Sequence, residues 1–112
     1  MPRIPNAADA ALPAAKLRYL LDASHPQNVG KATFFTGHGF RLDALEVLER
    51  ALGAHIHGEA AVIGRPDGVR YLRDGPLETP DGRNPRLLSV WQIDVGDTQP
   101  RLITAYPRRR QT

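Results

Sequence analysis

His25 and Lys31 are the residues whose type and position best suit chemistry on a phosphate group. His25 precedes Pro26, which favours an extended backbone, so we expect an accessible imidazole that exchanges a proton near neutral pH. Lys31 falls in the first turn of a predicted helix, where a cation opposes the helix dipole unless an anion binds there. The alternative interpretations are structural: an imidazole that caps a turn, and an ammonium group that extends into solvent.

Two hydroxyl groups and two arginines extend this candidate site. Alternation along the last predicted strand places Leu102, Thr104 and Tyr106 on one face, so both hydroxyls could point into a concave surface between sheet and helices. Thr104 is then an assisting donor and Tyr106 a substrate contact, with β-propensity and half-buried packing as the alternatives. Arg83 in a turn and Arg101 on the strand are candidates for holding flanking phosphates, or are simply solvated charges.

This set of residue types predicts metal-independent cleavage of RNA. The reaction needs a base for the 2′-hydroxyl, an acid for the leaving oxygen and cations for the charge that develops on phosphorus. In this hypothesis His25 is the general acid or base, Lys31 the electrostatic stabiliser and Thr104 the assisting donor, and no cofactor is expected. The three side chains should then lie within about 10 Å of one another around one phosphate.

Metal chemistry is not predicted from this sequence. The chain has no cysteine, which excludes disulfides, thiolate zinc sites and a cysteine nucleophile. His55 and His57 are separated by one residue, and residues two apart on a helix point to nearly opposite sides. Only a locally extended backbone would let them hold one ion, so no metal ligand set is assigned.

The composition is that of one basic globular domain covering residues 1–112. The net charge is +3 and arginine carries almost all of the positive charge, because Lys16 and Lys31 are the only lysines. Arginine side chains suit phosphate groups, which makes a polyanionic partner plausible, while an arginine-rich solvated surface explains the charge equally well. Residues 1–9 read as a candidate flexible arm and residues 108–112 as a basic tail.

Helical patterns occupy the first half of the chain. Pro13 suits the first position of a short helix that carries Leu17, Leu20 and Leu21 on one face. A second helix is predicted from about residue 29 to 36, and a third begins after an Asp43 N-cap, with leucines spaced three and four apart.

The hydrophobic period changes to two after Glu59, which predicts strands. The four predicted strands are residues 60–64, 69–73, 86–95 and 101–106. Turn sequences at Asp67-Gly68, at 80–83 and at 96–100 connect them as hairpins. The predicted fold is therefore α+β, with three N-terminal helices packed on one face of a four-stranded antiparallel meander, and Trp91 is expected in the core.

Three segments spread over nearly the whole chain form a recognisable combination. They are Ile4-Pro5-Asn6-Ala7 with the leucine pattern of 16–21, His25-Pro26 followed by Gly30-Lys31-Ala32 and Phe34-Phe35, and Trp91 with Pro100-Arg101-Leu102-Ile103-Thr104-Ala105-Tyr106-Pro107. The combination resembles an uncharacterised bacterial family that is catalogued as a domain of unknown function. This resemblance implies membership and no known activity.

The predicted architecture also resembles small nuclease toxins of the barnase, EndoU, colicin and RelE type, many of them C-terminal domains of bacterial polymorphic toxins. The likeness lies in helices with His and Lys followed by a four-stranded antiparallel sheet, and it is an analogy of fold alone.

The leading functional hypothesis is a ribonuclease that is a toxin or a toxin-derived domain. Its implied partners are RNA and an immunity or antitoxin protein, with no membrane partner, because no run approaches the roughly 20 apolar residues of a membrane span. No signal peptide is visible, so we expect a cytoplasmic site of action, with delivery as part of a secreted toxin left open. The alternative is a non-catalytic accessory module that binds protein or nucleic acid.

Overall fold

The computed structural model describes residues 2–108 and has the predicted α+β architecture. Its helices are α1 (Ala14–Leu20), α2 (Val29–Gly37) and α3 (Leu45–His55), and its strands are β1 (Ala61–Arg65), β2 (Gly68–Pro76), β3 (Arg86–Asp94) and β4 (Arg101–Pro107). Two short 3-10 turns, Ala7–Asp9 and Pro26–Asn28, precede α1 and α2 respectively. The third helix starts later than expected, because Ala44 is its N-cap and the Asp43 carboxylate pairs with Arg41 instead.

The four strands form one antiparallel sheet in the order β1-β2-β3-β4, which confirms the predicted meander. Gly68 opens β2 where the backbone of β3 comes very close. A Cβ built there would lie 2.3 Å from the carbonyl oxygen of Ile93, so only glycine fits at this position without moving the strands.

The helices cover one face of the sheet, and the core lies between the two layers. Leu17, Leu20, Phe35, Leu48 and Leu52 from the helices are buried against Tyr71, Leu87, Trp91, Leu102 and Ala105 from the sheet. Trp91 is fully buried in this layer, as expected for the only tryptophan on an apolar strand.

A β-bulge at Ile103 decides which residues of β4 face the helices. Trp91 pairs with Leu102 but the preceding residue, Val90, pairs with Thr104, so Ile103 has no partner in the ladder. Residues directly opposite one another share a face, and successive residues of β3 alternate between faces. Leu102 therefore faces the core, and Thr104 faces the other side of the sheet.

Tyr106 pairs with Leu88 and lies on the same side as Thr104 and Val90. We call this side, which carries Leu72, Leu88, Val90, Thr104 and Tyr106, the outer face. The expectation that Leu102 shares a face with Thr104 and Tyr106 was wrong, because the extra residue in the bulge shifts the alternation by one.

Residues 2–9 are packed on the domain, whereas a free arm was expected over residues 1–9. Ile4 is 4% exposed within the core, and the Pro2 carbonyl accepts a hydrogen bond from the Ala60 amide. Farther along, Ala11 forms a single parallel bridge with Arg101 on the edge strand β4. At the other terminus Arg108 pairs with Asp74, and the rest of the predicted basic tail lies outside the described residues.

Candidate functional site

Lys31 and Thr104 are in direct contact at the edge of the sheet. Helix α2 packs beside the edge strand β4, and the Lys31 Nζ donates a hydrogen bond of 2.9 Å to the Thr104 Oγ1. The same ammonium nitrogen lies 4.7 Å from the centre of the Tyr106 ring, which is a favourable cation–π arrangement. These three of the six predicted site residues are therefore brought together. They meet at the outer face and not in a cleft between sheet and helices.

Among residues 2–108, the Lys31 ammonium group has no carboxylate partner. Burial lowers the pKa of Lys31, and the nearby positive charge of Lys16 lowers it further. Within residues 2–108, no carboxylate forms an ion pair with either lysine. Lys16, the only other lysine of the sequence, thus acts on Lys31 without a paired acid among residues 2–108, an arrangement that an anion would stabilise.

Lys16 was not predicted as a site residue. It lies on α1 beside the buried Leu17, and its i,i+3 neighbour Tyr19 shares its helix face. The available sequence signal was the scarcity of lysine, but scarcity alone does not show that α1 and α2 bring these two residues close together.

His25 lies in the loop between α1 and α2, next to an acid that the sequence analysis also missed. Its Nε2 is 3.4 Å from the Asp22 Oδ2, and its ring centre lies 5.3 Å from that of Tyr19. The His25 side chain is 54% exposed, and hydrogen bonds from Ser24 lower the pKa of Asp22. An ionised Asp22 can therefore orient an accessible imidazole, as in other carboxylate–histidine pairs.

A buried asparagine holds the loop that carries His25. Asn28 is 1% exposed, and its Nδ2 donates to the carbonyl oxygens of Tyr19, at 2.5 Å, and Asp22, at 3.3 Å. The end of α1 is thereby tied to the start of α2. Within the part of the chain that the structure describes, however, no hydrogen bond or ring contact joins His25 to Lys31 or Thr104.

The two predicted substrate-binding arginines have partners of their own. Arg101 lies on the outer face opposite Gln92 and donates to both carboxylate oxygens of Asp94, at 2.7 and 3.2 Å. Arg83 donates to Asp81 at 2.6 Å and to the carbonyl of Gly37, the last residue of α2. No contact brings either arginine to Lys31 within residues 2–108.

His55 and His57, the other residue pair considered for chemistry, have unrelated surroundings. His55 ends α3 and is buried, with its Nδ1 2.7 Å from the Ser89 Oγ and its Nε2 3.0 Å from the Gly75 carbonyl oxygen. Both of its nitrogens are thus used by the fold, and His57 is exposed. Residues 2–108 contain no cluster of three or more His, Asp or Glu side chains that could hold a metal ion.

The fold and site define a small α+β domain with two neighbouring lysines at one sheet edge that form no ion pair within the described residues. The chain belongs to the family described as "Domain of unknown function (DUF6883)", whose model matches residues 3–109. This match confirms the resemblance seen in the sequence. A comparison with curated proteins finds no match.

Among solved structures, the fold is similar to a chain of the "Contact-dependent growth inhibition toxin - immunity protein complex from Klebsiella pneumoniae 342". The TM-score is 0.70 at 16% sequence identity, and the match covers 88% of this chain and 100% of that chain. At this identity the likeness establishes a shared fold. In residues 2–108, none of the helices has the length and apolar character that crossing a membrane requires.

Proposed function

We propose that this domain is a metal-independent ribonuclease of the toxin type, with its phosphate site at Lys31. The observation that carries the proposal is the partly buried Lys31 ammonium group, which Thr104 and Tyr106 hold in place and no acid neutralises within residues 2–108. A phosphate oxygen beside the Nζ would supply the missing negative charge. Lys16 would add a second cation to the same anion.

The proposed reaction is an internal transfer at phosphorus. The 2′-oxygen of the RNA loses its proton and attacks the adjacent phosphorus, and the bond from phosphorus to the 5′-oxygen breaks as that oxygen is protonated. His25 serves as base or acid in one of these proton transfers, oriented by Asp22, and solvent water serves in the other. Lys31 stabilises the charge on the phosphoryl oxygens, and Thr104 fixes the lysine and assists as a donor.

The contacts of α1 with α2 and β4 support one continuous surface along which RNA could bind. His25 contacts Tyr19, which shares a helix face with Lys16, and Lys16 lies close enough to affect the charge of Lys31. Helix α1 packs against both α2 and β4, so one RNA strand could follow this surface. Arg101 and Tyr106 on the outer face are proposed as secondary contacts, and Arg83 as a more distant phosphate contact.

The proposal includes a role as a toxin domain because the fold is similar to a chain of a toxin–immunity protein complex. We propose that the domain acts on RNA in the cytoplasm of a target cell, to which it is delivered as part of a larger secreted toxin. A cognate immunity protein would then inhibit it.

The proposal is tested by incubating the purified chain with RNA in the presence of EDTA. We expect cleavage that falls about 100-fold or more in His25→Ala and in Lys31→Met. The control is Arg50→Gln, which removes an exposed charge on α3 and should cleave like the wild type. Absence of cleavage by folded wild-type protein, or unchanged cleavage in both variants, would contradict the proposal.

The second candidate is a non-catalytic module that binds RNA or an acidic protein through the same lysine pair. This function is favoured by the lack of any contact between His25 and Lys31 in the described residues. Binding without cleavage, lost in Lys31→Met and retained in His25→Ala, would establish the module and rule out the ribonuclease.

A further inference from the structure

A groove of about 570 Å³ lies on the outer face. Its floor is apolar and consists of Ala61, Leu72 and Leu88. Ala61 pairs with Leu72 across β1 and β2, and Leu88 lies on the neighbouring strand β3, so the floor crosses three strands. The volume falls within the range of small-molecule pockets.

Tyr106 connects this groove to the lysine. Leu88 lies directly opposite Tyr106 in the ladder between β3 and β4, where facing side chains are about 5 Å apart. The Lys31 Nζ lies 4.7 Å from the Tyr106 ring centre on the other strand. An anion at Lys31 and a ring lying over Leu88 would therefore have Tyr106 between them.

The rim of the groove carries charges of both signs. Arg73 and Arg108 line it together with the acids Glu59 and Asp74, and the Lys31 cation lies on the far side of Tyr106. The Asp74 carboxylate accepts one hydrogen bond on each oxygen, at 3.1 Å from Arg86 and at 3.2 Å from Arg108. A carboxylate has about four acceptor positions, so each oxygen can accept another donor.

We propose that this groove is a nucleobase subsite that binds a base carrying an exocyclic amino group, such as cytosine. This inference rests on the proposed function, since the nucleotide's phosphate would be the one held by Lys31. The base lies against Leu72 and Leu88 and beside the Tyr106 ring, and its amino group donates to Asp74. Uracil presents a carbonyl oxygen in place of that amino group and is disfavoured by the carboxylate.

The test is an NMR titration of the ¹⁵N-labelled chain with four probes: inorganic phosphate, cytidine, CMP and UMP. Phosphate should shift the amide signals of Lys31 and Thr104, and cytidine those of Leu72 and Leu88. CMP should shift both sets and bind more tightly than UMP. Equal affinity for CMP and UMP would overturn the choice of base, and absence of any groove shift with cytidine and CMP would overturn the subsite.

Two variants of Leu88 separate the groove from the phosphate site. Leu88→Gln places a polar, uncharged amide on the apolar groove floor and should weaken CMP binding about tenfold or more, while phosphate binding is unchanged because no charge is added near Lys31. Leu88→Ala, a milder change, should weaken CMP binding in the same direction. The matched control is Ile63→Ala, because Ile63 is 46% exposed on the same face of β1 and does not line the groove.

Failure of this inference can be told apart from failure of the proposed function. Cytidine shifts at Leu72 and Leu88 without any phosphate effect at Lys31 would support the groove and reject the phosphate site. Phosphate binding at Lys31 with CMP affinity unchanged in both Leu88 variants would reject the groove and leave the phosphate site intact.

Discussion

The Lys31 Nζ donates a hydrogen bond of 2.9 Å to the Thr104 Oγ1, although 73 positions separate the two residues in the chain. This bond joins the first turn of α2 to the edge strand β4, on the side of the sheet that the helices leave uncovered. The hydroxyl oxygen stabilises the charged ammonium group, while burial and Lys16 oppose the charge. Thr104 therefore holds the ammonium group in place through an oxygen that favours its charged form.

Replacing Thr104 by valine should lower the pKa of Lys31 further. The substitution keeps the shape of the side chain but removes the oxygen that accepts the ammonium hydrogen bond, so the charged form loses a stabilising contact. NMR titration of the lysine Nζ measures this pKa directly. Thr104→Ser retains the hydroxyl and is the matched control, with a Lys31 pKa close to that of the wild type. A Lys31 pKa that is the same in the valine variant would show that the bond is absent in solution.

Replacing Lys16 by glutamine should raise the pKa of Lys31. The positive charge of Lys16 is one of the two causes that lower this pKa, and glutamine removes the charge while retaining much of the side-chain length. If cleavage requires a charged Lys31, the alkaline limb of its pH profile should move to higher pH. Arg18→Gln, which removes an exposed charge two positions along α1, should leave the Lys31 pKa unchanged. If Lys16→Gln and Arg18→Gln raised the pKa of Lys31 equally, the cause would be the overall charge of the domain and not the position of Lys16.

Replacing Gly68 by alanine should destabilise the fold by about 2 kcal/mol or more, since a new Cβ would collide with the Ile93 carbonyl oxygen at 2.3 Å. The strands β2 and β3 would have to separate at their first pair, Gly68 with Asp94. Gly64→Ala in β1 is the control, because a Cβ there meets nothing within 4 Å. Urea unfolding should therefore show a lower free energy of unfolding for Gly68→Ala and an unchanged one for Gly64→Ala. Equal stabilities would mean that the turn adapts to a side chain.

The order of helices and strands was predictable because hydrophobic period and turn residues are local signals. Asp67-Gly68 and the change of period after Glu59 led to the correct meander. The face of Thr104 was not predictable in the same way. A single unpaired residue, Ile103, inverts the relation between Leu102 and Thr104, and nothing in the local sequence distinguishes a bulged strand from a regular one.

Lys31 could be predicted as a candidate site residue from its type and position. The residues that surround it could not, because those contacts depend on tertiary packing. Lys31 was identified from the conflict between its charge and the helix dipole, and the structure brings it to Thr104 and Tyr106. Lys16 and Asp22 were missed because their relevance comes from the packing of α1 and from the fold of the following loop. Spacing in the sequence carries little information about either contact.

His55 is a buried histidine that the fold holds in its neutral form. A consistent set of bonds has the Nε2–H donating to the Gly75 carbonyl, the Ser89 hydroxyl donating to the Nδ1 and the Trp91 Nε1–H donating to the Ser89 oxygen. Burial is the main cause that lowers the pKa of His55, and the positive charge of Arg73 contributes. The Gly75 and Leu87 backbone and the Asp74 carboxylate act in the opposite direction and are outweighed.

The domain should therefore lose stability as the pH falls below about 6.5, the ordinary value for histidine in an unfolded chain. Because the folded pKa is lower, the unfolded state binds the proton first, and the free energy of unfolding falls by up to about 1.4 kcal/mol per pH unit until the folded pKa is reached. Above pH 6.5 both states are neutral and the full stability is present. Urea unfolding between pH 7.5 and 5 measures this slope. His55→Gln should be less stable at pH 7.5 but lack the slope, whereas exposed His57→Gln should retain it. The same slope in His55→Gln would assign the acid sensitivity to another group.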